Sequence, residues 1–219
     1  MSTITADRSL KEELQQQNAQ LLLEFRKRHL LTPEGELLPG VVQKHYTDGT
    51  KYEGFQSPTL KRTGYGIYTY KTGDLYAGMW SDDKFNGDGM YLFKNGERYI
   101  GQLVNGQREG EGRYEYVNGS RYEGGWKKDK KHGRGKFDSA FGGESYEGEY
   151  VNGDKSGQGV FLFAAGQRYG GSWSKNEKSG FGKLTFPDGS YFEGNWLNVV
   201  CDLPLGQGER ARYPEIFEW

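Results

Sequence analysis

The chain has 219 residues, a formal net charge of −1 and 34% hydrophobic residues, set against 35 glycines and 15% aromatics. That hydrophobic share is too small for a large globular core, and a near-neutral balance excludes a nucleic-acid binder, which carries a clear basic excess. Cys201 is the single cysteine, which excludes a disulfide framework and a cysteine-built zinc cluster.

Residues 1–39 are expected to form an N-terminal helix and a linker. Ser9-x-x-Glu12 resembles a capping box, Leu10 to Leu31 contains no glycine or proline, and Pro33 and Gly35 stop the helix. Its apolar residues gather in Leu21, Leu22, Leu23, Phe25, Leu30 and Leu31. The helix either packs back on the rest of the chain or docks on another protein, and its periodicity does not choose between the two. No apolar run approaches the ~20 residues that span a bilayer, and no secretory signal opens the chain, so a cytoplasmic setting is expected.

Residues 40–213 repeat. Tyr52, Tyr76, Tyr99, Tyr122, Tyr146 and Tyr169 recur at steps of 23 or 24 residues, with Phe192 in the seventh place. Each opener is followed two places later by a glycine, from Gly54 to Gly194, and then by a G-x-G pair such as Gly87/Gly89 or Gly110/Gly112. Within a repeat the hydrophobic period is two, which makes each repeat a β-hairpin and seven repeats about fourteen strands. Asn118-Gly119 and its counterparts Asp48-Gly49, Thr72-Gly73, Asn95-Gly96, Gly142-Gly143, Ala165-Gly166 and Asp188-Gly189 are expected to turn with positive φ at both residues. Glycine weakens a strand unless something covers it, and here an aromatic ring is expected to lie across the bare backbone. Gly40 to Lys51 is expected to be a half-repeat whose edge strand carries Val41, Val42 and Tyr46. Residues 214–219 form a tail with Phe217 and Trp219, and Pro214 blunts the last edge. The fold class is thus all-β: an elongated, single-layer antiparallel meander with one helix.

The pattern Y-E-G-x-W, G-x-G-x-[YF]-x-[YF] and an Asp/Asn-Gly turn resembles the MORN (membrane occupation and recognition nexus) repeat. Tyr122-Glu123-Gly124-Gly125-Trp126 and Phe192-Glu193-Gly194-Asn195-Trp196 carry the likeness best, and it covers about Val41 to Tyr213. The first repeat departs from it with Gln56 in the tryptophan's place, and the last replaces its polar loop with Leu197 to Leu205. The resemblance implies a stand-alone scaffold without catalytic activity or cofactor, in an axonemal, flagellar or other cytoskeletal assembly, or bound to a motor protein.

Three surfaces are candidate sites. The aromatic face carries Tyr76, Trp80, Tyr99, Tyr122, Trp126, Tyr146, Tyr150, Tyr169, Trp173 and Trp196, which are expected to contact a helical or extended segment of a partner protein. On the opposite face, mostly polar elsewhere, Ile67, Ala77, Met79, Met90, Leu92 and Ile100 form an apolar patch. A single-layer sheet in water keeps such a patch only under a cover, and the N-terminal helix is the expected one. The basic run with Lys127, Lys128, Lys130 and Lys131 carries the alternative function, a membrane-surface adaptor that meets phosphoinositides or anionic lipids. The apolar stretch Leu197, Val199, Val200, Cys201, Leu203, Pro204 and Leu205 is expected to join two copies in a homodimer or to fold on the tail as a cap. His29, His45 and His132 lie apart in unlike settings, and the G-x-G pairs belong to hairpins rather than to a phosphate loop, so no enzyme or metal site is expected.

Overall fold

The computed structural model describes residues 2–197 and 200–202, with side chains for 9–197. Its elements are one helix, α1 (Ser2–His29), and fifteen strands among the described residues. The chain divides into two units, 1–130 and 131–219. The first holds α1 and β1 (Val41–His45), β2 (Lys51–Gln56), β3 (Arg62–Thr69), β4 (Leu75–Ser81), β5 (Lys84–Leu92), β6 (Arg98–Val104), β7 (Gln107–Glu115) and β8 (Arg121–Lys127). The second holds β9 (Lys130–Asp138), β10 (Ser145–Val151), β11 (Asp154–Leu162), β12 (Arg168–Ser174), β13 (Glu177–Thr185), β14 (Tyr191–Leu197) and β15 (Val200–Asp202). Within each unit every strand pairs antiparallel with its neighbours in chain order, which makes an all-β meander of hairpins.

Equivalent residues face each other across the ladder because the repeat length is two strands and two turns. Tyr76 lies opposite Tyr91 and Gly78 opposite Gly89 on β4 and β5, and Tyr99 and Gly101 lie opposite Tyr114 and Gly112 on β6 and β7. The two glycines of each G-x-G pair have separate causes. Gly87 sits at φ 101° beside a register shift between Gly78 and Trp80, a backbone state that side chains other than glycine rarely adopt. Gly89 is needed for space, since a Cβ there would lie 2.6 Å from the Tyr76 hydroxyl and 2.7 Å from its ring. The ring lies on the bare backbone, and its hydroxyl donates to the Met79 carbonyl at 2.8 Å. That carbonyl belongs to the residue which the shift leaves without a partner on β5. The hydroxyls of Tyr52, Tyr99 and Tyr169 reach Phe55, Gln102 and Ser172 in the same way, each at its own register shift.

The turns correct one expectation. Except at Gly142-Gly143, with φ of 69° and 71°, Asn118-Gly119 and its counterparts do not place both residues at positive φ. Only the glycine does so, at 84° for Gly119 and 89° for Gly49. The loops have three residues, closed by paired bonds such as Tyr116 to Ser120 and Gly119 to Tyr116. The preceding Asp or Asn keeps ordinary backbone angles because its side chain accepts an amide two residues on: Asp48 from Thr50 and Asn118 from Ser120, both at 2.9 Å. The two-residue turns with positive φ throughout are the others: Asp82-Asp83, Asn105-Gly106, Lys128-Asp129, Asn152-Gly153 and Lys175-Asn176.

Helix α1 begins at Ser2, so Ser9 and Glu12 lie inside it and do not cap it; residues 2–8 contain no glycine or proline to stop the helix. It ends at His29, after Arg26, Lys27 and Arg28, whose positive charge suits the carboxyl end of a helix dipole. A turn through Leu31 to Leu37 then leads into β1. In the first unit the helix lies across the face opposite the aromatic one. Leu30, fully buried, joins Ile67, Ala77, Met90 and Leu92 in one cluster, with Leu21, Leu22, Phe25, Leu75 and Ile100 packed around it. Met79 stands outside this cluster and lies over Gly87.

Polar contacts fix where the helix lies. Gln15 and Asn18 donate to the carbonyls of Lys94 and Gly96, Arg26 pairs with Glu53 at 2.6 Å, and His29 stacks on Tyr65 at 3.9 Å. Arg98, buried at 7% exposure, donates to Gln17 and Asn18 and pairs with Glu115.

Candidate binding face

The aromatic face is built in layers. Its floor is the row of opening tyrosines: Tyr52, Tyr76, Tyr99 and Tyr122 in the first unit, and Tyr146 and Tyr169 in the second, all at 0–1% exposure. Burial pushes Tyr52, Tyr76, Tyr99 and Tyr122 well above the ordinary phenol range and Tyr146 up to about 12. Tryptophans join one repeat to the next. Trp80 meets Tyr52 of the preceding repeat edge-on at 5.5 Å and its own Tyr76 at 5.4 Å, and its indole N–H donates to the Gly66 carbonyl. Trp126, Trp173 and Trp196 donate likewise to Gly112, Gly159 and Gly182.

A cation caps most of these clusters. The Arg62 guanidinium lies 4.3 Å from the Trp80 ring centre and Arg108 lies 4.3 Å from Trp126. In the second unit Lys155 covers Trp173 and Lys178 covers Trp196, at 4.9 and 4.7 Å. Phe85 takes the cation's place in one repeat, stacked on Tyr76 at 3.8 Å. Asp83 and Asp129, in the two-residue turns, hold Arg62 and Arg108 by accepting both backbone and side-chain N–H groups. The cost of enclosing charge shows at Lys155, whose ammonium burial pushes below its ordinary range.

This arrangement revises the expected contact set. Trp80, Tyr150, Trp196, Trp126 and Trp173 are only 3–6% exposed, and the opening tyrosines are less so. A partner cannot reach rings buried under neighbouring indoles and cations, so these ten residues are the packing of the face and not its outer surface. The accessible rings were not singled out by sequence. Tyr46, Tyr70, Phe93 and Tyr116 each open a three-residue turn, at the same place in successive repeats. Tyr46 is 40% exposed and the other three are half-buried. Tyr68, Tyr70, Tyr91, Phe93, Tyr114 and Tyr116 form an unbroken string, with neighbouring ring centres 4.6 to 6.0 Å apart. Their signal was present in the [YF]-x-[YF] half of the repeat, whose second ring falls in the turn.

The four lysines of the basic run are not one cluster. Lys127, Lys128 and Lys130 are exposed, whereas Lys131 lies 4.6 Å from the Phe137 ring. The intervening Asp129 is engaged by Arg108, and Glu109 accepts the Lys128 amide. Of the terminal apolar stretch, Leu197 is 74% exposed, and the side chains of Val199, Val200, Cys201, Leu203, Pro204 and Leu205 lie outside the described residues, as do Phe217 and Trp219. Among the described residues no helix is long and apolar enough to cross a membrane, and no group of three His, Cys, Asp or Glu is placed to hold a metal.

The family model of the MORN repeat matches residues 61–75, 76–98, 99–121, 122–142, 146–168 and 169–191. No curated protein sequence matches the chain. Among solved structures, the TCP domain of SAS-4 from Drosophila melanogaster, in complex with a proline-rich motif of Ana2, is 16% identical over 75% of this chain and 84% of its own, with a TM-score of 0.39. A streptogramin B lyase is 12% identical over 72% of this chain and 55% of its own, with a TM-score of 0.17. The virginiamycin B lyase of Staphylococcus aureus is 11% identical over 75% of this chain and 61% of its own, also at 0.17. Likenesses this distant carry no argument about fold or partner.

Proposed function

Because this chain belongs to the MORN-repeat family, with six matched repeats between residues 61 and 191, we propose that it is a non-enzymatic scaffold that holds a protein partner on its aromatic face. The observation that carries this reading is the ring string of the first unit. Tyr70, Phe93 and Tyr116 stand half-buried on the face that α1 leaves open, while α1 covers the opposite one. Aromatic side chains give large contact area at a small cost in side-chain entropy, which suits them to anchor an interface. The buried tyrosine floor and the indole joints give those rings a rigid base, so little ordering is left to be done on binding. The fitting partner is a helical or extended segment of a cytoskeletal, axonemal or motor protein, and the fitting setting is a cilium, flagellum or cytoskeletal assembly.

The test is fractionation and proximity labelling of the tagged protein in ciliated cells, with Phe93→Ser beside the parent. The expected result is retention in the detergent-resistant axonemal or cytoskeletal fraction, lost in the variant while its melting temperature holds. A diffuse soluble distribution, or retention unaffected by the variant, overturns the reading. Recovery with membranes, abolished by Lys127→Glu and Lys128→Glu, favours the lipid-surface alternative.

A further inference from the structure

The outer rings repeat with the sheet and not with a helix. Tyr46, Tyr70, Phe93 and Tyr116 occupy the same turn position in four successive repeats of the first unit, and each repeat is two strands wide. Two strand spacings amount to ~9.6 Å. A polyproline II segment advances ~9.3 Å in each three-residue turn. An α-helix returns to the same face after seven residues, or ~10.5 Å. Across three intervals the polyproline segment falls out of step by ~1 Å and the helix by nearly three times as much, at the rises just given.

Resting on the reading that this face binds protein, we infer that its occupant is an extended, proline-rich segment in the polyproline II conformation, with a prolyl or apolar residue every third position and acidic residues between. It crosses the strands and sets one residue of each triplet against the rings of one repeat. A polyproline backbone has no internal hydrogen bonds, so its carbonyls are open to donors.

Charge along the margin points to the acidic residues. Lys71 and Lys94 follow Tyr70 and Phe93 and are exposed. The carboxylates beside them are engaged within the chain. Asp74 accepts the Lys94 amide at 2.9 Å and the Thr72 hydroxyl at 2.8 Å, and Glu97 accepts the Tyr114 hydroxyl at 2.7 Å and the Val117 amide at 3.3 Å. Their donors are neutral and leave them charged, and Asp48 on the first loop is exposed, so the margin is mixed in sign; the acidic residues of the segment are set against the exposed ammonium groups of Lys71 and Lys94, one repeat apart.

The experiment is fluorescence polarisation of the full chain with a dye-labelled peptide of four Pro-Pro-Glu triplets, which at ~3.1 Å per residue passes all four rings. The controls are a peptide of the same composition with prolines out of period, and an acidic amphipathic helix. The triplet peptide is expected to bind at least ~10-fold tighter than either control, and Tyr70→Ser with Phe93→Ser to weaken it ~10-fold or more, as loss of aromatic anchors does. Lys71→Glu with Lys94→Glu, both at exposed positions, weakens it with the fold intact should the ring variants melt early. No binding at millimolar protein, equal binding of the helical control, or indifference to both pairs of variants overturns the inference. A helical partner found on this face in cells overturns it too, and leaves the scaffold reading standing.

Discussion

The hydroxyl of Tyr76 and the missing side chain of Gly89 are two halves of one contact. The ring occupies the space that a Cβ would take, and the hydroxyl supplies the donor that the register shift removes from Met79. Tyr76→Phe keeps the ring and deletes the donor, leaving a backbone carbonyl short of a partner, and is expected to cost ~1–3 kcal/mol. Gly89→Ala keeps the donor and forces the ring off the sheet. It is expected to cost at least as much, because ring and backbone both have to move. Urea unfolding followed by circular dichroism measures both; Gly89→Ala proving neutral would mean that the ring has room. Sequence made part of this legible, since alternating tyrosine and glycine implied rings on bare backbone. It did not separate the two glycines of each pair, because φ at Gly87 depends on a shift that only strand pairing reveals. Nor did it rank the rings by accessibility: what buries Tyr76 is Trp80 and Phe85, and what buries Tyr52 is the tryptophan of the next repeat.

At the scale of elements, α1 carries the apolar cover of the first unit. Its residues Leu21, Leu22 and Phe25, with Leu30 just beyond its end, were legible as an apolar cluster and Ile67, Met90 and Leu92 as a patch out of place on a polar face. The polar contacts that fix its position were not, since Gln17 and Asn18 lie some 80 residues from Arg98 in sequence and all three read singly as surface residues. Deleting residues 1–31 uncovers the patch and strands Arg98, whose side chain then keeps only Glu115. The truncated chain is expected to melt several degrees lower and to bind a hydrophobic dye, and Leu30→Ala alone to cost ~2–5 kcal/mol. An unchanged melting temperature in the truncation would show that the cover adds no stability. The turns were the weakest part of the sequence reading. Asp-Gly and Asn-Gly favour two-residue turns in general, but here the side chain of the Asx residue bonds forward and makes a three-residue loop. That choice is what places Tyr46, Tyr70, Phe93 and Tyr116 at the loop entrance.

For the molecule as a whole, the repeat period and the strand count it implies were the most legible features, because every repeat states them again. The same repetition multiplies one titration. Burial, the largest cause in each case, raises Tyr52, Tyr70, Tyr76, Tyr91, Tyr99, Tyr114, Tyr116 and Tyr122 above the ordinary phenol range and Tyr146 to about 12. Below pH ~10, the unperturbed tyrosine value, folded and unfolded chains both keep these protons and stability has no slope from them. Above it the unfolded chain releases protons that the folded chain holds, so stability falls as pH rises, by up to ~1.4 kcal/mol per pH unit for each tyrosine. Lys155 works the other way. Its folded pKa is lowered, so the unfolded chain binds the extra proton and stability rises with pH up to the ordinary lysine value. One lysine cannot offset nine tyrosines against a total stability of ~5–15 kcal/mol. The expected result is cooperative unfolding between pH ~10 and ~12, with the buried tyrosinates appearing in the ultraviolet spectrum together with the loss of far-ultraviolet circular dichroism. Ionisation of all tyrosines at the ordinary value with the sheet signal intact would mean that the tyrosine floor is open to water, and the layered description of the face would fall with it.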